Sequence, residues 1–404
     1  MGNMNRIAWV SPYPPFRSGL SVYSEEMVDY LSSISDNVYI KVSPFVSSGQ
    51  QYIGDINPDD FDRIVYNIGN HPSNSLIYSY ALEYPGYVIL HDINLHDLII
   101  HRTYKRKSYL KYINLLLNEE ACRNTIKHAV NMGIEQTVRK QFNMLKELAC
   151  SGNRFIVHSR FALETLKDIS NDIEAIHINH FSSWYDYNEP RFGSNTVIGI
   201  FGYISGERHL STIIEGFNQF INDNNVNYKL LIVGSDTDNT LDTITESDNI
   251  NIITDADDEE FLKYMRSVDA GIHLRYPGCG EMSGNLIKLM GYGKPVLVNR
   301  EKAFAEIDPD AVFFTESSDM ASGIMRFLSA IHHNPGLLKK TGLNAYNLIR
   351  REYSIENIAP VIDSCIDSQK AHRGSCSIEK HSIGEMVSII GIKGLYNLMS
   401  RGLV

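Results

Sequence analysis

The stretch Leu274–Val298, LRYPGCGEMSGNLIKLMGYGKPVLV, decides how this chain folds. An apolar strand, Asp269–Leu274, runs into a Pro/Gly loop that carries Arg275 and Glu281. The spacing predicts a helix opening at Ser283-Gly284-Asn285, broken by Gly293-Lys294-Pro295 before a second strand, Val296–Val298. Strand, loop, helix, turn and strand make one α/β unit, and its loop falls outside the carboxyl end of a strand, where open parallel sheets bind ligands. The helix start offers free N–H groups and the positive end of a dipole, among residues small enough to let an anion approach. Arg275 supplies a forked, permanent cation for phosphate oxygens, and Glu281 an acceptor for sugar hydroxyls. An ordinary crossover with a surface Arg and a solvated Glu would carry the same residues, so these observations alone leave both readings open.

The stretch resembles the signature of the retaining GT-B glycosyltransferases of family 4. In that family a loop Glu and the small-residue helix start after it grip the sugar and diphosphate of a nucleotide-sugar donor. The resemblance implies that role for Glu281 and for Met282, Ser283, Gly284 and Asn285. The family's usual second Glu, which holds the ribose, falls at Leu289 here. The form R-Y-P-x-x-G-E-x-S-G, Arg275 to Gly284, is similar to a branch that also lacks it.

Composition sets the outer bounds. The chain has 404 residues, 43% hydrophobic and 21% charged, enough for two domains with their own cores. A net charge of −11 argues against nucleic acid as the main partner. No apolar run reaches the roughly 20 residues a membrane span needs, and the N-terminus reads straight into a strand without a signal-peptide core. Five scattered cysteines, none with metal or redox spacing, suit a reducing cytoplasm.

From the N-terminus, Arg6–Val10 reads as a strand leading into a proline-rich loop and an amphipathic helix over Ser21–Leu31. The resemblance implies a glycine loop near the donor diphosphate and the acceptor; Ser18 and Gly19 match it in position. Val38–Val42, Arg63–Ile68 and Tyr87–Leu90 read as further strands, with a helix over Ser75–Glu83. The strand ending at His91-Asp92 is followed by His96-Asp97, a pattern that invites a metal. A five-residue separation on a helix sets the two histidines about 140° apart, and no third ligand follows, so no metal is expected. The resemblance instead places His91 beside the reacting sugar, with Asp92 orienting it or binding an acceptor hydroxyl. Ile99–Tyr112 is a basic, tyrosine-rich stretch that includes Arg102 and Lys105. It fits an acceptor-side or anionic-lipid contact as well as a solvated helix face.

Arg154–Val157 and Ala175–Ile178 read as strands, and His158-Ser159-Arg160-Phe161 resembles a capping turn of the family. A second domain opens at Thr196–Gly202. There the family carries an Arg and a Lys on the diphosphate; the matching positions are Tyr203 and Arg208, and Arg275 is a plausible substitute for the missing cation. Gly202 and, after the strand Lys229–Val233, Gly234 fall in ligand-side loops. Asp257 stands at a helix start where the family contacts the base. Helices over Ser318–His332 and Leu337–Ile349 and a strand over Ala311–Phe314 complete the domain.

The fold expected is α/β of the GT-B type: two Rossmann-like domains facing across a cleft, residues 1–183 and 194–351 joined by a linker, with the segment from 352 returning to the first. The resemblance implies retaining hexosyl transfer from a nucleotide-sugar to an acceptor hydroxyl on a carbohydrate, glycolipid or glycoprotein, in cell-surface glycan assembly. It requires no cofactor and no metal. The location expected is cytoplasmic, with peripheral membrane contact through 99–112 or the tail. The alternatives are another GT-B sugar-nucleotide enzyme, such as an epimerase or sugar-phosphate synthase, and a non-catalytic sugar-nucleotide-binding subunit.

Overall fold

The computed structural model describes residues 5–103, 109–110, 124–128, 142–183, 185–236, 239–244 and 246–367. These form two compact units. The first takes the described residues up to His158, Ala162–Ile178 and Ile362–Asp367; the second takes the described residues among Ser159–Phe161 and Asn179–Val361.

The first unit is a seven-stranded sheet. Its strands are β1 (Arg6–Val10), β2 (Val38–Ser43), β3 (Gln51–Tyr52), β4 (Arg63–Ile68), β5 (Tyr87–Leu90), β6 (Arg154–Val157) and β7 (Ala175–His177), in the spatial order β3-β2-β1-β4-β5-β6-β7. Every neighbouring pair is parallel. Strands covered on both faces read as near-continuous apolar runs, and Ile7–Val10 and Tyr87–Leu90 are buried throughout. Helix α1 (Gly19–Ile34) follows β1, α2 (Ser75–Glu83) follows β4 and α3 (His96–Thr103) follows β5. The strand order reverses between β1 and β4, so the loops after these strands flank the crevice that doubly wound sheets use for ligands.

The second unit repeats the plan with six strands. They are β8 (Val197–Phe201), β9 (Lys229–Val233), β10 (Ile250–Ile253), β11 (Ala270–His273), β12 (Val296–Asn299) and β13 (Phe313–Thr315), ordered β10-β9-β8-β11-β12-β13 and again all parallel. The order reverses between β8 and β11, with Gly199 opposite Gly271. This places the loop after Phe201 beside the loop after His273. Helix α4 (Leu210–Asn224) follows β8, α5 (Asp258–Ser267) follows β10 and α6 (Gly284–Gly291) follows β11. Helices α7 (Met320–His333) and α8 (Pro335–Leu348) start on a 3-10 turn and on a proline that suits a first helical turn.

The final helix, α9 (Ile355–Asp367), follows a bulged π turn at Ile349–Tyr353. Its last turns belong to the first unit, where Asp363 accepts hydrogen bonds from the Tyr39 hydroxyl and from Asn37 Nδ2, and Asp367 from Asn37 at 2.9 Å. Among the described residues no helix is long and apolar enough to cross a membrane.

Candidate functional site

In the second unit the reversal of strand order gathers charge around Arg208. This residue ends a 3-10 turn, Gly206–Arg208, and its side chain is only 2% exposed. Nε donates to the Tyr203 carbonyl at 3.0 Å, Nη2 to the Phe201 carbonyl at 3.2 Å and Nη1 to His273 Nδ1 at 3.2 Å. Tyr203 thus contributes its backbone, while its ring is exposed. A guanidinium carries five N–H groups, so one on each terminal nitrogen is left over once these three bonds are made. Burial, then repulsion from Arg275, pushes the Arg208 pKa down to about 9, against the attraction of Glu281 and Glu207. Arg208 remains a cation at neutral pH, in surroundings that would gain from an added anion.

Two glycines make this packing possible. At Gly202, where φ is +108°, a Cβ would stand 2.5 Å from Asn285 Nδ2 and 3.0 Å from Arg208 Nη2. At Gly234 it would meet the Gly202 carbonyl oxygen. Asn285, in the first turn of α6, therefore sits over the end of β8 beside Arg208.

Arg275 follows β11 and forms an ion pair with Glu281 across its own loop. The Glu281 side chain is 12% exposed, so water screens this pair poorly. Asn299, at the end of β12, clamps the Arg275 backbone from both sides, accepting from its N–H at 2.8 Å and donating to its carbonyl at 2.9 Å. Lys302 holds the Gly278 carbonyl at 2.5 Å. The loop is also tied to the turn that carries Arg208: Tyr276 N donates to the Glu207 carbonyl at 2.9 Å and His209 Nε2 to the Tyr276 carbonyl at 2.8 Å. Both cations are thus held on one braced substructure.

The remaining residues read from the signature take other positions. Ser283 caps α6 through the Leu286 N–H, and Met282 packs half-buried against the core. A Cβ at Gly284 would meet only His180 at 3.5 Å, an ordinary contact. Asp257 caps α5 in a reciprocal bond with Glu260. Leu289 is fully buried and packs over Gly271. The place where the family carries its second Glu is core in this chain.

In the first unit His91 and Asp92 stand at the end of β5. His91 Nε2 donates to Asn67 Oδ1 at 3.0 Å, and its ring meets Tyr23 of α1 edge-on at 4.6 Å and His158 at 5.0 Å. Asp92 accepts from the Asn70 N–H at 2.6 Å, which fixes the loop after β4. Ser18 caps α1 in a reciprocal bond with Ser21, and the space over Gly19 is open. Both nitrogens of His96 are occupied, by the Phe142 carbonyl and the Tyr109 hydroxyl.

Arg102 is a correction to the sequence reading. It turns inward rather than toward an acceptor or lipid, donating to the Ser75 carbonyl at 2.6 Å and to Ser79 Oγ at 2.7 Å, with its guanidinium 4.4 Å from the Tyr78 ring centre. Buried Glu147, which accepts from the Tyr78 hydroxyl at 2.9 Å, gives the cation an interior counter-charge. Lys105 lies outside the described residues, as does most of 99–112 beyond Thr103.

Two residues of the site have no counterpart in the sequence reading: His273 and Asn299. Each is the last residue of an apolar strand, AGIH and VLVN, and each is fully buried. A polar residue closing such a strand on the ligand side is the signal that could have found them.

No family model and no curated protein sequence matches this chain. Solved structures share its fold. Sucrose-phosphate synthase from Thermosynechococcus elongatus matches with a TM-score of 0.61 at 13% identity, over 90% of this chain and 98% of that one. HepE of Anabaena, solved in complex with UDP-glucose, matches with a TM-score of 0.60 at 13% identity, over 90% and 100%. WaaG, a glycosyltransferase involved in lipopolysaccharide biosynthesis, matches with a TM-score of 0.56 at 13% identity, again over 90% and 100%. The chain therefore has the GT-B fold, two Rossmann-like domains with parallel sheets of seven and six strands.

Proposed function

We propose that this protein is a glycosyltransferase that moves a hexose from a nucleotide-sugar to an acceptor hydroxyl with retention of anomeric configuration. The observation that carries the reading is the buried Arg208, with an uncommitted N–H on each terminal nitrogen, beside Gly202 at the point where the strand order reverses. A guanidinium so placed matches two oxygens of a diphosphate. Arg275 adds a second cation, and together they would stabilise the charge that develops on the leaving diphosphate without a metal. Glu281 would hold the sugar, and His91 is the first unit's candidate for a part in the reaction. The bond from the anomeric carbon to the diphosphate oxygen breaks as the bond to the acceptor oxygen forms, and the leaving phosphate takes the acceptor proton. HepE was solved with UDP-glucose, so uridine nucleotides are the first donors to try.

Surface-glycan assembly is the pathway class we attach to this chemistry, with a carbohydrate, glycolipid or glycoprotein acceptor. Contact with an anionic membrane face through 99–112 or the tail belongs to the same reading, carried by the sequence pattern and now without Arg102.

The test is a thermal-shift titration with UDP, GDP, ADP and CMP and their common sugars, with and without EDTA. Stabilisation by one nucleotide that survives EDTA supports the donor site and fixes the base. Transfer assays on Glu281→Ala and on the Arg208→Ala, Arg275→Ala double variant then test the roles; wild-type turnover in either would overturn them.

A further inference from the structure

We propose that His273 is a positioning residue for diphosphate recognition, a neutral acceptor that orients the Arg208 guanidinium without neutralising it. The inference rests on the donor-site reading above. It starts from an asymmetry in how Arg208 is held. Two of its bonds go to backbone carbonyls, Phe201 and Tyr203, which lie in the segment leading up to Arg208 itself. The third goes from Nη1 to His273 Nδ1, on a different strand. The Phe201 bond ties Nη2 to the end of β8 and the Tyr203 bond ties Nε to the turn, which leaves Nη1 without an anchor of its own. The bond to His273 holds Nη1 on a second strand, β11, and with it the direction of the leftover N–H groups.

The choice of imidazole follows from charge. A carboxylate at position 273 would hold Arg208 equally well, but would pair its charge and compete with a diphosphate. A protonated histidine would lose its acceptor and repel the guanidinium. Burial and the nearby Arg208 and Arg275 cations hold the His273 pKa well below its ordinary value, so the ring stays neutral. With Nδ1 accepting, the proton sits on Nε2. That group is buried without a hydrogen-bond partner, and the ring packs edge-on against Phe304 at 5.6 Å. A buried donor left without a partner lowers stability, which sets His273 apart from a residue chosen only to support the fold.

Three substitutions separate the possibilities. His273→Phe keeps the ring volume and the Phe304 contact but removes the acceptor. His273→Asn keeps an acceptor near the position of Nδ1. His273→Asp keeps the acceptor and pairs the charge. Calorimetric titration of each folded variant with UDP, ADP and GDP is the readout, with circular dichroism and Tm as controls. For the nucleotide that wild type binds, His273→Phe and His273→Asp should each raise Kd about ten-fold or more, and His273→Asn by no more than about three-fold. Equal binding by wild type and His273→Phe overturns the inference, as does a loss in His273→Asn as large as in His273→Phe. If His273→Phe fails to fold, the Asn and Asp pair decides: equal Kd values for these two overturn the proposal. If wild type binds none of the three nucleotides, the donor-site reading falls first and this inference falls with it.

Discussion

Gly234 lies so close to Gly202 that a Cβ on the former would stand 1.8 Å from the carbonyl oxygen of the latter. Backbone meets backbone at the carboxyl ends of β8 and β9, the loop after β8 turns down onto the sheet, and Arg208 and Asn285 close in over it. Neither glycine owes its place to turn geometry alone. A methyl group at Gly202 would enter the volume in which the Arg208 cation is held, and one at Gly234 would displace the Gly202 backbone that borders it.

Alanine at these two positions should therefore act differently. Gly202→Ala has only side chains to displace, Asn285 Nδ2 and Arg208 Nη2, though at a backbone φ of +108° that strains any L-residue. It should fold with a lowered Tm and bind nucleotide at least about ten-fold more weakly. Gly234→Ala must move a backbone carbonyl, so it should lose more stability than Gly202→Ala. Thermal melts and nucleotide titrations on both variants check the order.

Placing a glutamate at position 289, where the sequence resemblance sets one, should fail. Leu289 is fully buried, with Gly271 beneath it. Leu289→Glu removes core contacts and forces a carboxyl into an apolar site with no partner, at a cost of at least about 3 kcal/mol. Urea denaturation should show that loss with no gain in nucleotide affinity. A stable variant that binds nucleotide more tightly would show that α6 presents position 289 to the ligand after all.

The fold was legible because parallel strands buried on both faces write themselves as apolar runs. Arg63–Ile68, Tyr87–Leu90, Arg154–Val157 and Lys229–Val233 have the bounds the sequence predicts. The two-residue β3, Gln51–Tyr52, carries no such run and left no trace. Strand ends drifted where a polar residue closes an apolar strand: β12 extends through Asn299, one residue past the expected Val298. That single step hid Asn299 from the reading of the site, as the buried His273 was hidden at the end of β11. Burial of a lone polar residue depends on what packs above it, and periodicity does not report that. Arg102 failed for a related reason. Its counter-charge, Glu147, lies far along the chain, and local composition showed only a basic neighbourhood.

The buried Arg102 gives a prediction about stability rather than ligand binding. Arg102→Ala strips a guanidinium from Ser75, Ser79 and the Tyr78 ring and leaves Glu147 buried without its cation. Losing hydrogen bonds from a buried cation and the nearby positive charge that offsets a buried carboxyl costs about 3 kcal/mol, so the variant should melt well below wild type. Arg102→Met combined with Glu147→Leu should recover much of that loss. If Arg102→Ala instead melts like wild type and weakens binding to anionic vesicles, the side chain faces outward in solution.

His158 should give the first unit an acid-labile step. It is buried after β6, its Nδ1–H donates to the Ile178 carbonyl at 2.9 Å, and the rings of Tyr23 and His91 pack against it. Burial, reinforced by repulsion from His177, lowers its pKa from 6.5 to about 4 in the folded protein, against the bond to Ile178. Above pH 6.5 neither the folded nor the unfolded state carries the proton, and the full stability is present. Between pH 6.5 and about 4 the unfolded chain takes up the proton while the folded one does not. Stability therefore falls as pH falls through that window, by about 3 kcal/mol in all, and levels off below it as far as this group is concerned. Replacing His158 with Phe removes the titration but also the bond to Ile178, so the variant should start lower and show a flatter dependence. Denaturant titrations of both proteins from pH 7.5 to 4 measure the two slopes. Parallel slopes would mean that His158 takes its proton as readily in the folded protein as in the unfolded chain, contrary to its burial.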